Sequence, residues 1–115
     1  MPWADIIKSF PKLYLKGMYF ECGLGWQKII YDLSMKIEDI LEKTDNNMYA
    51  VQVKEKYGIL RFYMTEETEE ISKLIEDAEA LSTQTCESCG EFGKMRQGFP
   101  FNVKCDKCFK EHARQ

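Results

Sequence analysis

The chain is short of histidine, proline and glycine, with one, three and seven of them in 115 residues. With His112 alone, three residues from the C-terminus, histidine-dependent nucleophilic triads and histidine-rich metal centres are hard to assemble. Gly23-Leu24-Gly25 is too short to cradle a phosphate and precedes no P-loop lysine pattern. No low-complexity tract or internal repeat is present. No apolar run approaches the ~20 residues that cross a bilayer, so no membrane partner is expected. Residues Met1 to Gly17 carry Asp5 and scattered lysines with no uninterrupted apolar stretch, which speaks against a signal peptide. The expectation is a soluble cytoplasmic protein.

What is present fits a folded chain: 44% apolar and 30% charged residues are ordinary for a globular domain and exclude a disordered one. At this length the core is modest, so a metal or an oligomer contact would help to hold the fold. The net charge of −3 is unevenly spread. Residues 1–85 carry 10 lysines and arginines against 15 acids, a balance of −5, whereas 86–115 carry 6 against 4, a balance of +2. Four thiolates around one divalent zinc would contribute −2 and bring that tail to neutrality, so its basic character is no signal for nucleic acid.

Hydrophobic spacing predicts the elements. Trp3, Ile6, Ile7, Phe10 and Leu13 suggest a short helix or turn around Pro11. Trp26, Ile29, Ile30, Leu33, Ile37, Ile40 and Leu41 form one stripe at steps of three and four, an amphipathic helix closed by Asp45-Asn46-Asn47. Val51 and Val53, then Leu60, Phe62 and Met64, alternate with polar residues on either side of Tyr57-Gly58. This predicts a β-hairpin with those five side chains facing the helices. A second helix is expected over Thr65 to Ser82, capped by Thr65, with Ile71, Leu74, Ile75, Ala78 and Leu81 buried. Glu66, Glu67, Glu69 and Glu70 would complement its dipole, and Glu76, Asp77 and Glu79 would continue an acidic outer face. The resulting class is α+β: two amphipathic helices packed on a β-hairpin over residues 1–83, with a finger over 84–115.

The cysteines carry the chemical signal. Cys86 and Cys89, then Cys105 and Cys108, are two C-x-x-C pairs, each able to turn two sulfurs toward one ion. Together they make the tetrahedral four-sulfur shell that suits zinc. An iron–sulfur cluster also uses four cysteines, but this spacing favours zinc. A saturated thiolate shell leaves no position for water, so one structural ion is expected rather than a catalytic one. Gly90 permits the knuckle turn. Residues 92–103 suit a short hairpin, and Cys105 and Cys108 lead into a helix. That order suggests a treble-clef-like finger, with a three-stranded zinc ribbon as the alternative. His112 is a competing ligand, and Cys22 reads as a small buried residue rather than a nucleophile.

Three stretches stand in order: Cys22-Gly23-Leu24-Gly25-Trp26; Val53-Lys54-Glu55-Lys56-Tyr57-Gly58-Ile59-Leu60-Arg61-Phe62-Tyr63; and Thr85-Cys86-Glu87-Ser88-Cys89-Gly90 with its second cysteine pair. Together, from about Phe20 to Cys108, they resemble a family of small, mostly uncharacterised proteins encoded by bacteriophages and prophages. The hairpin motif is the specific part of the likeness. The resemblance implies a mobile-element origin and a zinc-finger end, and brings no activity with it. Relatives with histidine in the last ligand position differ from this chain, which has Cys108 there.

These readings order the functions. The first is a non-enzymatic interaction protein that binds and modulates a host macromolecule, with inhibition of a host defence system as one specific form. Its candidate surface is Lys54, Glu55, Lys56, Arg61 and Tyr63 on the hairpin with Glu69, Glu70 and Asp77 on the acidic helix. A host or phage protein is the first expected partner. Nucleic acid is the second, through the hairpin face and Lys94, Arg96, Lys104 and Lys107 in the finger. An enzyme using the hairpin charges comes last.

Overall fold

The computed structural model describes residues 2–98 and 101–113, without the side chains of residues 112 and 113, so the ligand role considered for His112 lies outside the described residues. A short helix α1 (Trp3–Ser9) leads into a loop whose Leu13 and Tyr14 are buried with Ile6 and Phe10. Strand β1 (Phe20–Glu21) and a 3₁₀ turn (Leu24–Trp26) then introduce α2 (Gln27–Lys43). The stripe from Trp26 to Leu41 is buried as its spacing predicts, apart from a half-buried Ile40. Two polar residues share that buried face. Glu38 accepts from the amides of Lys12 and Leu13 at 3.2 and 2.8 Å, and Ser34 bonds the Tyr14 hydroxyl at 2.5 Å. Their burial is supported because every described buried polar side-chain atom has a partner. Asn46 closes the helix, bridging the Thr44 carbonyl and the Met48 amide.

β2 (Ala50–Lys56) and β3 (Ile59–Met64) form the expected hairpin, and β1 pairs in parallel with β2 to give the order β1-β2-β3. Tyr57 and Gly58 have φ of 54° and 83°, the two positive values of a type I′ turn. The Glu55 carboxylate accepts from the Gly58 amide at 2.6 Å and fixes this turn. Inward positions Val53, Leu60 and Phe62 join the core, and Met64 is half-buried against it. Val51 departs from the expected pattern. A register shift between Ala50 and Gln52 turns it outward, 51% exposed, and puts Ala50 in its place in the core.

The second long helix, α3, spans Glu69–Ser82, not Thr65 onward. Thr68 is its cap, its hydroxyl accepting from the Ile71 amide at 3.2 Å. Thr65 is occupied elsewhere, exchanging bonds with Tyr49 at the base of the hairpin. Leu81, expected inside, is 54% exposed, and Ser82 takes the buried position. The reason is polar: Ser82 Oγ accepts from the Leu60 amide at 3.0 Å. Glu79, expected on the outer face, also turns to the sheet and accepts from the Phe62 amide at 3.2 Å. Two side chains of α3 thus occupy amides along the free edge of β3, which protects it from pairing with another strand. Beyond α3, β4 (Lys94–Arg96) and β5 (Asn102–Lys104) form a second, two-stranded sheet, followed by α4 (Asp106–Ala113).

Candidate metal centre

The four cysteines converge on one point. Cys86 to Gly90 form a knuckle closed by the Gly90 amide on the Cys86 carbonyl at 2.9 Å, with Gly90 at φ 86°. The knuckle is held from behind by Cys86 N to Glu91 O at 2.7 Å and Glu87 N to Val103 O at 3.0 Å. Cys105 stands at the head of α4, where its sulfur accepts from the Cys108 amide at 3.4 Å and its carbonyl from the Phe109 amide at 3.0 Å. The order is therefore knuckle, hairpin, helix, with two sulfurs from each end.

The sulfurs lie within 4.8 Å of one another, and Cys89 and Cys105 are 3.7 Å apart. A tetrahedron with metal–sulfur bonds of ~2.3 Å has edges of about 3.8 Å, so the separation suits a single four-coordinate ion. A cluster would spread its thiolates over several irons and hold them farther apart. Cys86 is buried, Cys105 and Cys108 are half-buried and Cys89 faces solvent. Burial raises the Cys86 thiol, but amides of Cys105, Cys89 and Ser88 outweigh it and bring it down to about 6. The Cys105 thiol and desolvation push Cys108 up to about 12. Cys89 is raised too: an amide bond at Glu91 lowers it, but desolvation and the Cys105 and Cys86 thiols prevail. Four such groups cannot all ionise side by side without a cation among them, and a divalent ion would supply that compensation.

Arg96 braces the centre. Its guanidinium donates to the Lys104 carbonyl at 3.0 Å and to Asp106 at 2.8 Å, and lies 4.4 Å from the centre of the Phe109 ring. It joins β4, β5 and α4, so this cation, read from the sequence as a nucleic-acid contact, is engaged within the cysteine-bearing segment. Lys104 likewise bonds the Ser88 hydroxyl. Lys94 and Lys107 stay exposed.

The cysteine-bearing segment is seated on the rest of the chain by the other two motifs, a relation that their separate appearance in the sequence does not reveal. The Gly25 amide donates to the Glu87 carbonyl at 2.7 Å, the Gly23 amide to the Glu87 carboxylate at 2.8 Å, and Trp26 Nε1 to the Thr85 carbonyl at 2.9 Å. A methyl group on Gly25 would lie 2.1 Å from the Cys86 carbonyl oxygen, and one on Gly58 would lie 2.6 Å from the Met95 sulfur. Gly25 is therefore required by close approach to backbone, whereas Gly58, which meets chiefly the flexible end of Met95, is required by its φ of 83°. Cys22 is half-buried at this junction, where desolvation first, then Glu87 and Glu55, push its thiol up to about 12. A thiol raised this far is protonated at neutral pH.

The hairpin charges do not form one group. Lys54, Arg61 and Tyr63 point away from the core, whereas Glu55 sits in register with Leu60 on the opposite face and is spent on the turn. This breaks up the Lys54, Glu55 and Arg61 set on which an enzyme reading would rest. Arg61 lies 3.9 Å from Glu79, among the described residues the one ion pair between the hairpin and α3. Glu69 and Glu70 are exposed in the first turn of α3, and Asp77 pairs with Lys73 at 2.6 Å. Among the described residues no helix is long and apolar enough to cross a membrane. Fold and site together define a mixed α+β chain with a four-cysteine centre able to bind one metal ion. No protein-family model, curated protein or solved structure matches this chain.

Proposed function

We propose that the four cysteines hold one structural zinc ion in a treble-clef-like finger, and that the chain acts by contact rather than catalysis. In this reading it binds and modulates a host macromolecule, as suits the phage and prophage proteins it resembles, and inhibition of a host defence system is the specific process we favour. Bound zinc would neutralise the thiolates and supply folding free energy, ~10–16 kcal/mol in apparent terms for finger peptides. Cys86, Cys89, Cys105 and Cys108 fill its shell and leave no open position for a substrate.

One observation carries the contact reading. Around the hairpin, Glu55 and Glu79 are consumed by backbone amides, yet Lys54 and Lys56 on the outer face form no ion pair among the described residues. Cations outside any ion pair, beside an exposed Tyr63, are what a contact surface supplies. Native mass spectrometry of the purified protein tests the metal: one zinc ion per chain is expected, lost in Cys89→Ser, and iron or no metal overturns the assignment. Affinity capture from bacterial lysate, with and without nuclease, tests the surface. The wild type should retain a specific partner that the Lys54→Glu/Lys56→Glu double variant loses, and equal capture by both would refute it.

A further inference from the structure

The outer face of the sheet narrows the chemistry of the partner. Its outward positions are Gln52, Lys54 and Lys56 on β2 and Ile59, Arg61 and Tyr63 on β3, with Glu21 beside Lys54 on β1. Lys54 stands directly opposite Arg61. Like charges so opposed destabilise a sheet, and Glu21 and Glu79 relieve this pair only in part. The cost is borne although Lys54 gains no ion pair from it among the described residues. Tyrosine rings accompany the cations: Tyr63 on the face, Tyr57 at the turn with the Lys56 ammonium 5.8 Å from its ring centre, and Tyr19 just before β1, all exposed. Tyr19, Lys16 and Gln52 also line an open cleft of about 310 Å³ that continues the face at the far end of β2.

We propose that this face binds single-stranded nucleic acid, with Lys54, Lys56 and Arg61 on phosphates and Tyr63 stacked on a base. The proposal rests on the preceding reading that the face is the contact surface. Lys54 and Lys56, two residues apart on one strand, are separated by about 7 Å, a step comparable to that between phosphates of an extended chain. Exposed rings between cations form the stacking platform that unpaired bases use and that acidic side chains do not. An acidic peptide would dock most readily by adding a strand, but the amides of Leu60 and Phe62 on the β3 edge are already occupied by Ser82 and Glu79. A duplex hides its bases from such a flat face. Glu21 and Glu79 stand at this face, the latter 3.9 Å from Arg61, and phosphates compete with them there; exposed acids more than ~8 Å away are screened at physiological salt.

Fluorescence anisotropy with labelled oligo-dT and oligo-rU of about 20 nucleotides, a duplex of equal length and a polyglutamate peptide tests this on the zinc-loaded protein. Single strands should bind in preference to duplex and polyglutamate, with a slope of log K against log salt of about −2, three phosphate contacts at about 0.7 each. Lys54→Glu/Lys56→Glu should weaken binding at least about tenfold. Tyr63→Ala should weaken it about five- to 100-fold while Tyr63→Phe, which keeps the ring, binds as the wild type does. Circular dichroism melting establishes that each variant is folded. Absence of single-strand binding at about 100 μM protein and low salt overturns the proposal. Equal binding of duplex or polyglutamate, or unchanged binding by the lysine variant, overturns it as well. If single strands fail while nuclease-resistant capture still requires Lys54 and Lys56, the nucleic-acid inference falls and the contact face stands. If the lysine variant alters neither experiment, both fall.

Discussion

Replacing Gly25 with alanine puts a methyl carbon 2.1 Å from the Cys86 carbonyl oxygen and 2.6 Å from the Glu87 carbonyl carbon and oxygen. All three opposing atoms are backbone, pinned by the bonds from Cys86 N to Glu91 O and from Glu87 N to Val103 O. No side chain can swing aside, so the 3₁₀ turn and the knuckle must separate by about 1.3 Å to restore the 3.4 Å of ordinary contact. That movement stretches the Gly25–Glu87 bond from 2.7 Å to beyond hydrogen-bond range and strains the Trp26–Thr85 bond with it. Overpacking costs about 1–3 kcal/mol and a lost hydrogen bond about 1 kcal/mol, so a loss of about 3 kcal/mol is expected.

With a urea dependence of about 1.5 kcal/mol per molar for a chain of this size, the midpoint should fall by about 2 M. The assay is urea unfolding of the zinc-loaded protein followed by circular dichroism. Gly17→Ala is the control. Gly17 has φ 93° but nothing within 4 Å of the added carbon. It bears backbone strain alone, about 1 kcal/mol. A Gly25→Ala shift under about 0.5 M, or one no larger than that of Gly17→Ala, would falsify the view that the motif exists to seat the finger.

Arg96→Lys removes the paired donation to Lys104 and the stacking on Phe109. Zinc affinity, measured by competition with a chromophoric chelator, should fall about tenfold, as for other residues that orient metal ligands, and unchanged affinity would remove Arg96 from that role. Ser82→Ala leaves the buried Leu60 amide without its acceptor, which should destabilise the protein by about 1–3 kcal/mol in urea unfolding, against less than about 0.5 kcal/mol for Glu76→Ala on the surface. Glu79 is raised from the ordinary carboxylate value chiefly by desolvation, against the opposing pull of the Phe62 amide and Arg61. A raised carboxylate stabilises the fold while protonated, below the unfolded-state value, and that contribution is lost as pH rises through the folded-state value. The stability of Glu79→Gln relative to wild type should therefore improve as pH rises from the acid range toward neutrality, and a trend in the opposite direction would refute the dominance of desolvation.

What was legible in the sequence is what short-range periodicity encodes. The α2 stripe needs only 3.6-residue spacing, the hairpin needs alternation and a glycine turn, and the two cysteine pairs need only their spacing. The failures share a cause: a polar or small residue whose partner is remote in the chain. Thr65 and Thr68 are equivalent as caps by local rules, and the choice falls to Thr68 because Thr65 bonds Tyr49. Leu81 lost its buried place to Ser82, and Glu79 left the outer face, because unpaired amides of β3 needed acceptors. Val51 obeyed alternation until the register shift at Ala50 turned it out. Gly23 and Glu87 are 64 positions apart, and no local rule predicts that the two segments meet.

These remote partnerships also give the metal centre its reach. Cys105 follows β5 directly, and β5 pairs with β4, whose Met95 lies where a side chain on Gly58 would have to go, beside the Asn102 amide. Gly58 is the turn that closes the strands bearing Lys54, Lys56 and Arg61, and the same turn is held from within by Glu55. An ion that ties Cys105 and Cys108 to the knuckle therefore holds β4 and β5 against the hairpin tip, while the Gly25 and Trp26 bonds hold the knuckle against the start of α2. The apolar core cluster holds Ile30, Ile37, Val53 and Phe62 and no residue of the cysteine-bearing segment. Loss of the ion should consequently spare the core and loosen the hairpin tip, which makes the four cysteines a support for the exposed face rather than a second, independent site.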